Sequence, residues 1–140
     1  MQQLPSEFLQ WLAGQDEILV TSREAGRRGT VPTWFVIAPP GVVYVFSFAF
    51  SEKVRRWHAD PWVRLGVRDG PTVEGVVHFV EPNELDEATA NLIVDRWNMQ
   101  GAPTVEGLRR TLRDKLHALV RIEGLGSVHN AEAGLSSPAT

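Results

Sequence analysis

Short β-forming runs separated by turn signals dominate the chain and restrict the folds open to it. Pro- and Gly-containing turns at 24–29, 39–41 and 69–71 separate runs rich in Val, Ile, Phe and Trp. Turns this short join antiparallel neighbours, because parallel strands need a long crossover connection. The runs predict six strands, at 18–22, 30–38, 42–47, 62–68, 72–80 and 116–123.

Predicted helices fall at only a few points between these strands. Apolar residues at helical spacing predict helices at 4–13, 52–59, 84–99 and 104–112. A doubly wound parallel sheet fits poorly, because the chain has no repeated strand-helix-strand rhythm. The predicted fold class is therefore mainly β with helices, an α+β arrangement around a closed or partly closed antiparallel β-barrel of six strands.

The length of the chain suits one domain. Its 140 residues, 43% of them hydrophobic and 22% charged, are enough to bury a substantial core. All predicted elements lie within residues 1–123, whereas Gly, Ser and Ala dominate 124–140. We expect a single domain over 1–123 and a flexible C-terminal tail over 124–140.

Charge and cysteine content narrow the classes of function. A net charge of -3 and a pI near 5.8 provide no field for nucleic acid or an anionic membrane, so a small-molecule partner is expected. Cysteine is absent, which excludes disulfides, thiolate catalysis and cysteine-bound metals. The N-terminus lacks a signal-peptide pattern and no apolar run is long enough to span a bilayer. A soluble, cytoplasmic protein is therefore expected.

Ser47, Ser51 and Lys53 form a candidate anion site where a predicted strand leads into a predicted helix. Unpaired N–H groups and the positive end of the helix dipole favour a phosphate at such a helix start. Two interpretations stay open. The hydroxyls, amides and ammonium converge on a phosphate, or Ser51 is an ordinary cap on a solvated helix face that carries Lys53, Arg55 and Arg56.

Two stretches resemble the pyridoxamine 5′-phosphate oxidase-like group of flavin-binding split barrels. The first reads Val-Phe-Ser-Phe-Ala-Phe-Ser-Glu-Lys-Val-Arg at 45–55 and continues with Asp-Pro-Trp-Val at 60–63. In that group a strand ending in Thr or Ser precedes a Ser-x-Lys helix start, and an Asp-Pro-x-Val strand start follows. The second stretch, Gly-Thr-Val-Pro-Thr-Trp-Phe at 29–35, is similar to the group's second strand, which lies beside the cofactor ring. In order of elements the resemblance extends from about Asp16 to Glu123.

The resemblance implies a six-stranded antiparallel split barrel that binds FMN. The implied cofactor contacts are Pro32, Thr33 and Trp34 along the ring and Ser47, Ser51 and Lys53 at the phosphate. The resemblance also implies a homodimer with the cofactor site at its interface. The expected function is that of an FMN-dependent oxidoreductase acting on an unknown small organic substrate. No catalytic side chain is implied, because the flavin carries out the chemistry.

Two alternatives come from the same class of barrels. A related branch binds the deazaflavin F420, and the Pro-x-Trp-Phe pattern at 32–35 does not separate the two cofactors. Haem-handling barrels of this class also exist, so a non-catalytic flavin- or haem-binding module is the third hypothesis. Glu52 stands where the true oxidases place an arginine, which predicts a weaker phosphate site. The chain also stops short of the extended C-terminal portion that holds pyridoxal phosphate in those oxidases, so that substrate is not expected.

The four histidines predict no metal site. His58, His78, His117 and His129 lack the spacing of metal ligands, so each is expected to be a structural or surface residue.

Overall fold

The computed structural model describes residues 2–126 and 128, which form one sheet and four α-helices. The strands are β1 (Glu17–Glu24), β2 (Arg27–Trp34), β3 (Val36–Ala38), β4 (Val42–Phe48), β5 (Trp62–Gly66), β6 (Thr72–Phe79) and β7 (His117–Gly124). The helices are α1 (Ser6–Leu12), α2 (Glu52–Ala59), α3 (Glu87–Trp97) and α4 (Val105–Arg113), with a 3-10 turn at Pro82–Glu84. The predicted class, mainly β with helices, is confirmed.

The strands lie in the order β2-β1-β5-β6-β7-β4-β3, and every neighbouring pair is antiparallel. Strands β2 and β3 therefore occupy opposite edges of the sheet, although only Phe35 separates them in the chain. The two edges must approach each other at Phe35, so the sheet curls into a half-barrel.

The predicted count of six strands was wrong, because the run at 30–38 is two strands. The run pairs with β1 up to Trp34 and with β4 from Val36 onward. Residues on both sides of Phe35 are β-forming, so local composition carries no signal of this change of partner.

Two apolar cores pack against the sheet. Successive residues of a strand point to opposite faces, so Val45 and Val120 join one core while Phe46 and Leu119 join the other. Helices α1 and α2 contribute to the first core, and α3 and α4 to the second. One face of β4 therefore belongs to the core that includes α2, and its other face belongs to the core that includes α3.

Helix α2 has its predicted bounds because side chains specify both of its ends. The Ser51 hydroxyl accepts a hydrogen bond from the Val54 N–H at 3.4 Å and caps the start. Asp60 is extended, and its carboxylate accepts bonds from the Trp62 N–H at 3.1 Å and from Arg23 Nε at 2.6 Å. The Asp-Pro pair thus ends α2 and aligns the start of β5.

Helix α3 is shorter than the helix predicted at 84–99. The Asp86 carboxylate accepts a 2.7 Å hydrogen bond from the Thr89 N–H, which fixes the helix start three residues later than predicted. Among the described residues, no helix is long and apolar enough to cross a membrane.

The predicted tail at 124–140 falls mostly beyond the described residues, which exclude 127 and 129–140. Gly124 is the last residue of β7, and the Leu125 N–H donates a 3.1 Å bond to the Glu74 carbonyl.

Candidate functional site

A cavity of about 340 Å³ lies between the end of β4, the start of α2 and the end of β2. It is lined by all six residues that the sequence singled out, namely Pro32, Thr33, Trp34, Ser47, Ser51 and Lys53. These residues come from separate segments, so the curl of the sheet is what brings them together. The volume falls in the range of small-molecule and cofactor sites. Their role as cofactor contacts stays a prediction.

Ser47 supplies a buried hydroxyl without a partner. The residue is 9% exposed, and among the described residues no group forms a hydrogen bond with its Oγ. Leaving a buried hydroxyl unsatisfied costs about 1–3 kcal/mol, so this atom is expected to gain a partner. A ligand oxygen in the cavity would satisfy this atom.

The start of α2 adds donors and a positive charge. The amide N–H groups of Glu52 and Lys53 lie in the first turn and have no acceptor in the described part of the chain. The Lys53 side chain is half-buried and pairs with no carboxylate among residues 2–126. Burial lowers the pKa of Lys53, because water no longer fully solvates the ammonium group. An anion in the cavity would oppose this effect.

The end of β2 provides a free strand edge and an ordered aromatic ring. Pro32, Thr33 and Trp34 are the last residues of β2, which among the described strands pairs only with β1. Edge strands keep unpaired backbone groups on their outer side. The Arg96 guanidinium lies over the Trp34 ring, 4.1 Å from its centroid, and holds it in place. This edge can therefore offer backbone hydrogen bonds and an aromatic contact to a planar ligand.

Five further residues line the cavity that the sequence did not single out: Glu17, Phe46, Phe48, Trp97 and Gln100. Phe46 and Trp97 pack with their ring centroids 5.7 Å apart. Phe46 and Phe48 share a face of β4, opposite to that of Ser47, so alternation along the strand did not indicate that all three line one cavity. Glu17 and Gln100 reach the cavity only through tertiary packing, so no local pattern indicated them.

The other basic residues of α2 turn away from the cavity. Arg55 forms ion pairs with the carboxylates of Glu24 and Glu52, the latter at 2.6 Å, and Arg56 approaches Glu52 at 3.7 Å. The Arg55 hydrogen bond lowers the pKa of Glu52. Neither the arginines nor Glu52 line the cavity, so Lys53 alone of the three predicted basic residues reaches it. The expected opposing charge of Glu52 is therefore balanced by the arginines of its own helix.

The described histidines make contacts within the fold. His58 stacks on Phe79 at 4.1 Å, and His78 Nε2 lies 3.0 Å from a Glu84 carboxylate oxygen. His117 stacks on Phe46, behind the cavity wall, while His129 lies outside the described residues. Within the described range, no group of three or more His, Cys, Asp or Glu residues is placed to hold a metal ion.

Solved structures with the same fold are pyridoxamine 5′-phosphate oxidase-like split-barrel proteins. One is a protein from Listeria innocua that is provisionally assigned as a pyridoxamine 5′-phosphate oxidase. Its TM-score is 0.63 at 13% sequence identity, and the alignment covers 90% of this chain and 96% of the Listeria chain. The haem storage protein HutZ from Vibrio cholerae has a TM-score of 0.61 at 16% identity, and the alignment covers 91% of this chain and 94% of HutZ. An F420 reductase has a TM-score of 0.58 at 16% identity, and the alignment covers 88% of this chain and 97% of the reductase chain.

The chain therefore has the split-barrel fold of these proteins over nearly its whole length. No protein-family model matches the sequence, and no curated protein matches it either. The similarity is one of fold, carried by the order of strands and helices and not by sequence identity.

Proposed function

We propose that the protein is an FMN-dependent oxidoreductase acting on a small organic substrate. The buried, unpartnered Oγ of Ser47 supports this most directly, because it lies in a cavity that Ser51 and Lys53 also line. Donors for an anion and an aromatic wall in one cavity suit a ligand with an anionic tail and a planar ring. FMN has this shape, and the neighbours in fold include a protein provisionally assigned as a pyridoxamine 5′-phosphate oxidase and an F420 reductase.

The phosphate of FMN would lie at the start of α2. The hydroxyls of Ser47 and Ser51, the ammonium of Lys53 and the free amides of the first helical turn are the available donors. The Ser51 hydroxyl holds Val54 N–H only at 3.4 Å, so it can also turn toward a ligand. Each of these groups gains a partner on binding, which is why the free site is a good fit for an anion.

The ring of FMN would lie against the end of β2. Thr33 and Trp34 present the free edge of the strand, and Phe46 and Phe48 supply apolar surface that excludes water. When bound, FMN supplies hydride and electron transfer, so the chain needs no strong acid or base of its own. The protein binds and orients the cofactor.

We also propose a homodimer that closes the site. Large apolar side chains, which we call the apolar rim, are exposed beside the cavity; they are Phe48 (65%), Phe50 (86%), Met99 (91%) and Leu116 (54%). Phe48, Phe50 and Leu116 are neighbours in space, because the Ala49 N–H donates to the Leu116 carbonyl at 3.0 Å and the following His117 stacks on Phe48. Met99 directly precedes Gln100, which lines the cavity. Exposed apolar clusters of this kind are typical of protein interfaces. A second subunit on the rim would cover the mouth of the cavity.

Reduction with F420 is the second candidate. F420 shares the flavin-like ring, and one neighbour in fold is an F420 reductase. Haem binding is less well supported, although HutZ shares the fold. Among the described residues that line the cavity there is no His, Cys, Tyr or Met to ligate haem iron.

The test begins with the purified full-length protein. We expect visible flavin absorption, release of FMN on denaturation, and reduction of the bound FMN by NADH or NADPH followed by reoxidation by a quinone. Uptake of F420 and not of FMN would favour the second candidate. A colourless protein that binds neither cofactor would refute both. Bound FMN that no nicotinamide reduces and no acceptor reoxidises would identify a binding module.

A further inference from the structure

A second cavity, of about 590 Å³, lies between the loop after α1, strand β3 and helix α3. None of its lining residues lines the first cavity. Its apolar surface comes from Phe35, Val36 and Ile37 at the edge of the sheet and from Leu92 on α3. The flavin proposal uses none of these residues, so the second cavity needs its own explanation.

Arg96 is the cation of this cavity, and the fold holds it in a fixed position. Its Nη2 donates a 2.7 Å hydrogen bond to the Asp16 carbonyl, and its guanidinium rests on the Trp34 ring at 4.1 Å. An arginine ordered in this way loses little side-chain entropy on binding a ligand.

The charge of Arg96 is not neutralised locally. In the described part of the chain no carboxylate lies within 4.0 Å of its guanidinium. One N–H group of the guanidinium is used by Asp16, which leaves others for an acceptor. A half-buried arginine beside apolar surface, with free donors and no counterion, is suited to a carboxylate.

We propose that the second cavity binds a small organic acid with an apolar body. The carboxylate pairs with Arg96, and the apolar body packs on Val36, Ile37 and Leu92. Asp16 also lines the cavity, so its negative charge opposes the bound anion and limits its affinity. The two cavities share no lining residue, so this proposal does not require FMN in the first cavity, although the contact between Arg96 and Trp34 connects the two.

The test is an NMR titration of the full chain with sodium octanoate, and with 1-octanol as a probe of the same apolar length without charge. We expect saturable octanoate shifts at the amides of Val36, Ile37 and Leu92. Arg96→Gln should weaken octanoate binding about tenfold or more, since a charge-assisted bond is lost. Asp16→Asn should strengthen it about twofold at low salt, because a like charge is removed. Arg113→Gln, an exposed arginine on α4, serves as the control and should bind octanoate like the unaltered chain.

Four results would overturn the proposal: no saturable binding, equal octanoate affinity in Arg96→Gln, equal shifts with 1-octanol, or shifts centred on Ser47 and Ser51. If Arg96→Gln fails to fold, Asp16→Asn decides the matter, because unchanged or weaker octanoate binding in that variant contradicts the proposed position of the anion. Repeating the titration with FMN present separates the two sites. Saturable octanoate binding that persists with FMN present supports two separate cavities, whereas complete displacement of octanoate by FMN contradicts this.

Discussion

The imidazole of His117 lies flat against the ring of Phe46, with centroids 4.7 Å apart and an angle of 8° between the planes. It also stacks on Phe48, again at 4.7 Å, so one histidine supports two aromatic residues of the cavity wall. The imidazole is fixed by a 2.6 Å hydrogen bond between its Nδ1 and Thr111 Oγ1. Its Nε2 is buried and has no hydrogen-bond partner among the described residues.

This arrangement predicts a pH-dependent stability. Burial lowers the pKa of His117 below its usual 6.5, so on acidification the unfolded chain takes up this proton before the folded chain does. Stability from this group is complete above the unfolded pKa and is lost as the pH falls from about 7.5 through 6.5 toward the folded value. Urea unfolding at pH values across this window should show a smaller loss in His117→Asn than in the unaltered protein. An equal loss in both would contradict the prediction. The carboxylates with lowered pKa, such as Asp60, titrate below this window.

Ser47→Ala should separate stability from binding. Because the Ser47 hydroxyl has no partner among the described residues, its removal should leave thermal stability unchanged or slightly raised. FMN affinity, measured by fluorescence titration, should fall about tenfold. Ser22→Ala is the matched control, since the Ser22 hydroxyl accepts a 2.9 Å bond from the buried Trp57 Nε1. That variant should lose about 1–3 kcal/mol of stability and keep its FMN affinity. Unchanged FMN affinity in Ser47→Ala would remove Ser47 from the site.

Lys53→Gln should weaken FMN binding by about ten- to a hundredfold, the scale of a lost charge-assisted hydrogen bond. Arg55→Gln removes an equal charge from the same helix, but that side chain pairs with Glu24 and Glu52 outside the cavity. Its FMN affinity should therefore change little. Equilibrium titrations of both variants at low and moderate salt test whether position or overall charge matters. Similar losses in the two variants would show that only helix charge counts.

Leu116→Glu should disrupt the proposed dimer and, with it, FMN retention. Leu116 belongs to the apolar rim, just before β7, whereas Leu125 follows the other end of β7; each is 54% exposed. Leu125→Glu is therefore a control of the same residue type and exposure. Light scattering after size exclusion should show a monomer for Leu116→Glu and a dimer for Leu125→Glu. A monomeric unaltered protein, or a dimeric Leu116→Glu variant, would refute the proposed interface.

Local chemistry accounts for what was predicted well. The strands and α2 follow from alternation and helical spacing, and the bounds of α2 follow from the Ser51 cap and from Asp60 before a proline. The β1–β2 turn predicted at 24–29 is present but shorter than predicted, because the strands pair as far as Glu24 and Arg27 and only Ala25 and Gly26, both at positive φ, form the two-residue hairpin turn.

The sequence by itself determined a mainly β fold with helices and, through the family resemblance, six of the residues that line the first cavity. Only the tertiary structure decided the break at Phe35, because edge strands take whichever partner the curl of the sheet brings to them. It also decided that Lys53 lines the cavity while Arg55 pairs with Glu24, since helix periodicity does not say what each face meets. The second cavity also depends on tertiary packing that the sequence pattern does not show. Arg96 and Asp16 are far apart in sequence, and only packing of α3 on the curled sheet places them together.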